Sequence, residues 1–214
     1  MGFTKETIDL LNKPLDIKNV KKKEGKYDYV EGWKMQDQAN KVFGFDGWSC
    51  ETVYNREVCR VDTKISGVDG FTVGYEAKVR LNIHGVIREG TGHGSQVARS
   101  LFACIEGAAK EAETDALKRA FKSFGNPFGL ALYDKERVGV GSVEEYDVAL
   151  AKAELLAEEL KSKFSKAGTL EEINKIWTSN AKNIAEAKKT SSDVYKKIFD
   201  IFLSKKKSLN NDYM

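Results

Sequence analysis

Residues 71–83, FTVGYEAKVRLNI, decide the fold of this chain. Phe71, Val73, Tyr75, Ala77, Val79, Leu81 and Ile83 alternate with Thr72, Gly74, Glu76, Lys78, Arg80 and Asn82. A period of two sends the first set to one face of a β-strand and the second to the other, so one face is buried and one is polar. The apolar face needs a covering layer. Upstream, the pattern predicts a partner strand over about 48–61, with Gly67, Asp69 and Gly70 marking the turn between the two. Downstream, Gly85 precedes a third, short strand at Val86 and Ile87.

The covering layer follows. Gly90, Gly92 and Gly94 read as a turn, and Ser95 as the N-cap of a long helix over about 96–124. Val97, Leu101, Cys104, Ile105, Ala108, Ala112, Leu117, Ala120, Phe121 and Phe124 lie along one broad stripe of it. Alanines dominate the middle, so something packs there closely. Gly125 and Pro127 supply the stop. On the N-terminal side, a helix is expected over 4–12, ending before Pro14, and another over 33–43, closed by Gly44. FGFDGW (43–48) turns the chain into the first strand. The order is helix, antiparallel meander, long helix: an α+β domain without repeated βαβ units. After Gly139 and Gly141, Ser142 with Glu145 and Thr169 with Glu172 look like capping boxes. Three helices are expected there, at 143–165, 170–179 and 182–206, with a polar, frayed tail from Lys205 to Met214. The division predicted is a core over 1–138 and a small helical C-terminal region over 142–214.

Composition narrows the function classes. The 214 residues carry a net charge of +3, a weak basic signal. Residues 1–150 hold 22 Lys and Arg against 23 Asp and Glu; residues 151–214 hold 13 against 9. A near-neutral core can bind nucleic acid only if its cations are sorted onto one surface. No apolar run approaches the roughly 18 residues of a membrane-spanning helix. The N-terminus lacks a charged-then-apolar signal pattern, and Glu6 stands where myristoylation wants Ser or Thr. An intracellular address without membrane contact is expected. Cys50, Cys59 and Cys104 form no CxxC pair, and only His84 and His93 could join them, so buried reduced thiols are expected in place of zinc.

The sharpest candidate is the end of the long helix, AETDALKRAFKSFGN (112–126). Lys118, Arg119 and Lys122 occupy its last turns. Cations there complement the helix dipole and can pair with Asp115 or Glu111 one turn back, which needs no ligand. The same three can also track a phosphate backbone, since 118 and 122 are one turn apart and 119 is adjacent. A second cluster, Lys21, Lys22, Lys23 and Lys26, reads as a solvated loop, or, with Tyr27, Tyr29 and Trp33 close behind, as part of a single-strand surface. Gly90–Gly94 suggests a phosphate cradle but lacks dinucleotide spacing, so a tight turn is the better reading. Gly25-Lys26 is followed by Tyr27 instead of Ser or Thr, so no ATP site is predicted. The acids Glu106, Glu111, Glu113 and Asp115 sit at ordinary surface spacing, with no metal-ligand set, no Ser-His-Asp signal and no cofactor motif.

Ordered blocks add a family. Leu15-Asp16 with Val20 and the lysines, Tyr29–Trp33, Ala39-Asn40, Phe43–Trp48, Gly92 and Gly94, Glu111–Ala120, Ser123–Asn126 and Leu132–Lys135 together resemble the Rad-fifty-two family of single-strand annealing proteins. The resemblance covers about residues 8–137. It implies a meander-plus-helix protomer that assembles into rings or curved filaments, with an outer cationic groove for single-stranded DNA. By position it makes Lys118, Arg119 and Lys122 the deep groove, joined by an entry-segment lysine, Lys23 or its neighbour Lys21. Arg99 falls near a secondary, duplex-binding position; a second such position is Gly70 here, for which Lys64 or Lys78 would compensate. It further implies ATP-independent annealing in recombination and double-strand break repair. The C-terminal helices are read either as a contact for a single-strand-binding protein or for neighbouring protomers, or as a plain packing appendage. The layout suggests a phage-encoded protein of the bacterial cytoplasm; otherwise the nucleus or mitochondrion is the address. An RNA-binding or RNA-annealing module and a metal-dependent nuclease are the alternatives.

Overall fold

The computed structural model describes residues 2–23 and 27–211. The chain divides into two compact units, residues 1–142 and 143–214.

The first unit is built on the predicted meander. β4 (Trp48–Ile65), β5 (Val68–Ile83) and β6 (Val86–Ala98) form an antiparallel sheet in the order β4-β5-β6. Each hairpin closes through two residues with positive φ, Ser66-Gly67 and His84-Gly85. Such turns match the twist of the strands they join. Asp69 and Gly70, expected in the first turn, already pair within β5. The alternation in β5 holds: Val73, Ala77, Val79, Leu81 and Ile83 are buried.

β6 corrects the glycine turn. It runs through Gly90, Gly92 and Gly94 to Ala98, paired residue by residue with β5. The covering helix α3 (Leu101–Lys122) therefore starts at Leu101, not 96, and Ser100 caps it by accepting the N–H of Ala103 at 3.4 Å. Val97, assigned to the helical stripe, is an exposed strand residue. The glycines are there for close approach. A Cβ on Gly92 would lie 2.1 Å from the Ala116 nitrogen, and one on Gly94 2.3 Å from the Ala108 carbonyl oxygen. Opposite them Ala108, Ala112, Ala116 and Ala120 are buried. This seam is the close packing that the alanines of α3 foretold.

The C-terminal end of α3 rests on an aromatic core. Helices α1 (Lys5–Asn12) and α2 (Gly32–Phe43) bring Leu11 and Phe43 to it, and the 3-10 turn Asn126–Phe128 brings Phe128. Phe121 and Phe128 stack at 5.3 Å, Phe43 and Phe128 at 5.8 Å, and Trp48 meets Phe121 edge-on at 5.4 Å. β1 (Leu15–Asp16) pairs in parallel with β7 (Val140–Gly141), tying the start of the unit to its end. β2 (Val20–Lys23) and β3 (Tyr27–Val30) form a small hairpin. Lys21, Lys22 and Lys23 are thus strand residues, not loop residues; Gly25 and Lys26 lie outside the described residues.

β4 is poorly covered, being at the sheet edge with most of its side chains exposed. Cys50 and Cys59, expected to be buried, are exposed on it; Cys104 alone is buried, its thiol donating to the Phe71 carbonyl oxygen at 3.2 Å.

The second unit has four helices where three were expected: α4 (Val143–Lys166), α5 (Leu170–Ser179), α6 (Ala181–Thr190) and α7 (Ser192–Asn211). The extended Ser191 breaks the expected third helix, and its hydroxyl accepts the N–H of Val194 at 3.3 Å. Thr169 caps α5 as expected, accepting from the Glu172 N–H at 3.2 Å. The Glu172 carboxylate accepts from Gly168, one residue earlier than in a strict capping box. Leu160, Phe164, Ile173, Ile198 and Phe202 form the core. The predicted fraying from Lys205 does not occur before Asn211, because Leu209 is buried; residues 212–214 lie outside the described residues. Among the described residues no helix is long and apolar enough to cross a membrane.

Candidate nucleic-acid interface

The aromatic core fixes which way the last turns of α3 face. Phe121 and Phe124 point inward with Ala116 and Ala120, which leaves positions 118, 119 and 122 on the outer arc of the helix. The three cations there are not equivalent. Arg119 Nε donates to Asp115 Oδ2 at 2.9 Å, one turn back. That is the ligand-free arrangement the spacing allows. Asp115 Oδ2 also accepts the backbone N–H of His93 at 3.3 Å, and a Glu111 carboxylate oxygen accepts that of Ser95 at 3.0 Å. These acids occupy donors along the free edge of β6, so the Arg119 side of α3 is committed to the fold.

Lys118 and Lys122 differ. Among the described residues neither pairs with a carboxylate. Each ammonium lies over a tyrosine ring: Lys118 Nζ is 5.7 Å from the Tyr29 centroid, and Lys122 Nζ is 3.8 Å from that of Tyr133. The rings come from the two segments flanking the helix end. Tyr29 belongs to β3, and Tyr133 ends the 3-10 turn Leu130–Tyr133 after the chain reverses. Arg137 of that exit segment forms an ion pair with Asp28, next to Tyr29, which clamps the two flanks together. The last turns of α3 thus carry two cations within a frame of aromatic rings.

Of the entry lysines, Lys21 stands opposite Tyr29 in the β2–β3 register and so shares its face, toward Lys118. Lys23 stands opposite Tyr27 in the same register. Toward the N-terminus of α3 the charge changes sign. A shallow depression of about 420 Å³ beside Lys118 is lined by His93, Lys110, Glu111, Thr114 and Asp115. The basic strip is therefore confined to the helix end.

Two predicted residues lie elsewhere. Arg99 is exposed in the bend before α3, roughly 25 Å of helix away from Lys118. Lys78 is on the sheet face opposite α3 and pairs with Glu89 at 2.6 Å. Arg80 binds the same carboxylate and also Glu51. The Lys78 and Arg80 hydrogen bonds hold the Glu89 carboxyl below the usual carboxylate range. On the same face the Tyr54 hydroxyl, then Arg56, do so for Glu76. Lys64 pairs with Asp69. Among the described residues no group of three His, Cys, Asp or Glu side chains is placed to hold a metal ion.

Tyr133 was not singled out from sequence. It is eleven residues past Lys122 and outside the helix, so no i,i+4 spacing links them. It falls within the block Leu132–Lys135 that carries the family resemblance, and its physical signal is the turn chemistry of Gly125, Pro127 and Gly129, which folds the chain back; Gly129 has φ +90°.

Residues 4–148 match a family described as Rad52/22 family double-strand break repair protein. The chain is 37% identical over 142 residues to DNA repair and recombination protein RAD52 of Eremothecium gossypii, covering 64% of this chain and 32% of that protein. It is 39% identical over 110 residues to DNA repair and recombination protein RAD52 of Saccharomyces cerevisiae, covering 50% and 22%. DNA repair and recombination protein rad22 of Schizosaccharomyces pombe is also 39% identical over 110 residues, with coverage of 50% and 23%. The matched region is less than a third of each of these relatives.

Proposed function

The chain belongs to the Rad52/22 family of double-strand break repair proteins, and we propose that it binds single-stranded DNA and anneals complementary strands without ATP during homologous recombination. The observation that carries this reading is the state of Lys118 and Lys122: two cations one turn apart, framed by tyrosines and without carboxylate partners among the described residues. Two complementary strands repel through their phosphates. A cationic strip lowers that repulsion, and base pairing then supplies the free energy, so no covalent step is needed. Backbone contacts carry no sequence information, so binding is expected to be non-specific.

The rest of the proposal follows the placement of residues. Lys118, Lys122 and an entry-strand lysine, Lys21 or Lys23, would form the primary strand path, with Arg119 contributing once its pair with Asp115 yields. Arg99, at the far end of α3, would belong to a weaker, duplex-binding surface; Lys78 would reach a strand only by leaving Glu89. The exposed edge strand β4 offers unpaired backbone for a neighbouring copy, which supports a ring or curved filament. Residues 143–214 would contact a single-strand-binding protein or neighbouring protomers.

The test is annealing of two complementary oligonucleotides, with and without ATP, by wild type and by K118A/K122A. Equal wild-type rates in both conditions are expected. The double variant should lose about five- to tenfold in strand affinity per cation at moderate salt, and its log–log salt slope should fall by about 1.4. Unchanged annealing by a folded double variant would remove these lysines from the site. Stronger binding of an RNA strand of the same sequence would redirect the reading to RNA.

A further inference from the structure

The phosphate path accounts for Lys122 but not for the ring beneath it. Tyr133 is 71% exposed, yet its backbone is not loose. Phe128 and Ala131 just before it are buried. Just after it, the Asp134 carboxylate accepts the N–H groups of Glu136 and Val138 at 3.1 and 3.2 Å. The segment is therefore anchored on both sides while the ring is held out of the core. Lys122 covers one face of the ring at 3.8 Å. Trp33 also has a cation near it, but that cation is its chain neighbour Lys34, at 4.6 Å. The Lys122–Tyr133 contact, by contrast, is made by a chain reversal.

We propose that Tyr133 is a base-stacking platform, so that Lys122 and Tyr133 together hold one nucleotide, its phosphate on the ammonium and its base on the open face of the ring. This rests on the single-strand reading above and deepens it. An ammonium on one face leaves the other available to a flat, polarizable partner, and every base has such a face. The contact is therefore indifferent to sequence but sensitive to whether a base is present. It also gives annealing a fixed point: one base is held by the protein while its neighbours remain open for pairing. A merely structural ring, shielding the Lys122 stem, would have no means of distinguishing a strand with bases from one without.

The test compares an oligothymidylate with a strand of equal length made of abasic sugar-phosphate units. Binding of each is measured by fluorescence anisotropy across a salt series, for wild type, Y133A, Y133F, Y133W and K122A. Wild type should prefer the base-bearing strand. Y133A should lose about tenfold on oligothymidylate and nothing on the abasic strand, with its salt slope unchanged. Y133F and Y133W should restore the preference. K122A should weaken both strands and lower the slope by about 0.7. Equal losses on both strands in Y133A, or no loss on either, would overturn the platform while leaving the phosphate path intact. A wild type that binds neither strand would overturn the annealing reading, and the platform with it. Thermal melting of each variant checks that the exposed position leaves folding unaffected.

Discussion

The seam between β6 and α3 and the core of the C-terminal unit bury apolar surface in opposite ways. In the seam there is almost no side chain. Gly90, Gly92 and Gly94 face Ala108, Ala112, Ala116 and Ala120, and the atoms nearest a would-be Cβ are mostly helix backbone. In the second unit the core is side chain throughout: Leu160, Phe164, Ile173, Ile198 and Phe202 interlock, with Trp177 packed on Phe202 at 4.4 Å. A rotamer can adjust; a helix backbone between its own hydrogen bonds cannot. The seam is the more brittle of the two, and it holds the helix that carries Lys118 and Lys122. Under the proposed single-strand reading, that brittleness would keep Lys118 and Lys122 at a fixed spacing toward a phosphate chain.

The largest effect expected from this contrast is at Gly92. Gly92→Val puts a branched side chain where even a Cβ lies 2.1 Å from the Ala116 nitrogen. It should cost about 4 kcal/mol or more and destroy folded structure in the first unit, read by denaturant unfolding and limited proteolysis. A cost near 1 kcal/mol would show that α3 can lift from the sheet, and the contrast would fail. The next effect is in the second unit. Phe164→Ala should cost about 3–4 kcal/mol by leaving a cavity, whereas Leu160→Met should cost less than about 1.5 kcal/mol because the volume is kept. If Leu160→Met proved as damaging as Phe164→Ala, the second core would be as intolerant as the seam. Strand binding should be within twofold of wild type in Leu160→Met, since its changed atoms are in the other unit.

The same contrast explains which parts were legible in the sequence. β5 was legible because large and polar residues alternate visibly. β6 was legible only at its start, Val86 and Ile87, although Gly90-Thr-Gly-His-Gly94 also has a period of two. Its inward residues are glycines, and glycine-rich sequence ordinarily signals a turn. The alanine stripe fourteen to thirty residues later signals close packing, but not that these glycines are its partner, although four spaced alanines need a partner with no side chains. Lys118 and Lys122 were legible as cations on one arc, but sequence could not separate them from Arg119. That distinction depends on Asp115 being shared with the β6 edge, a contact across the sheet–helix layer. Tyr133 was hidden because its relation to Lys122 passes through a chain reversal. The boundary between α6 and α7 was missed because Thr190-Ser-Ser-Asp193 sits inside an otherwise helical stretch, although a run of capping residues is a start signal.

The smallest effect separates the two units by acidity. On the outer sheet face of the first unit, Glu89 accepts from both Lys78 and Arg80, and Glu76 from Tyr54 and Arg56. In the second unit, Glu158 pairs with Lys197 at 2.6 Å. All three carboxyls are held below their ordinary range, chiefly by these hydrogen bonds. A carboxyl whose folded pKa lies below its unfolded value adds stability above the unfolded pKa, about 4.3 for Glu. That contribution is lost as pH falls through the folded value, so stability should drop between about pH 5 and pH 3. All three sites are open to solvent, so each share is small. Glu89→Gln removes one such group while keeping its shape. Its Tm should lie below that of wild type at pH 7, and the two Tm curves should converge toward pH 3, where the wild-type carboxyl is protonated. Gln in place of Glu158 should converge in the same way from a smaller gap, because one lysine is lost there and two cations at Glu89. Parallel curves for Glu89→Gln would mean that Lys78 and Arg80 are not bound to Glu89 in solution, and Lys78 would then be free to meet a DNA strand.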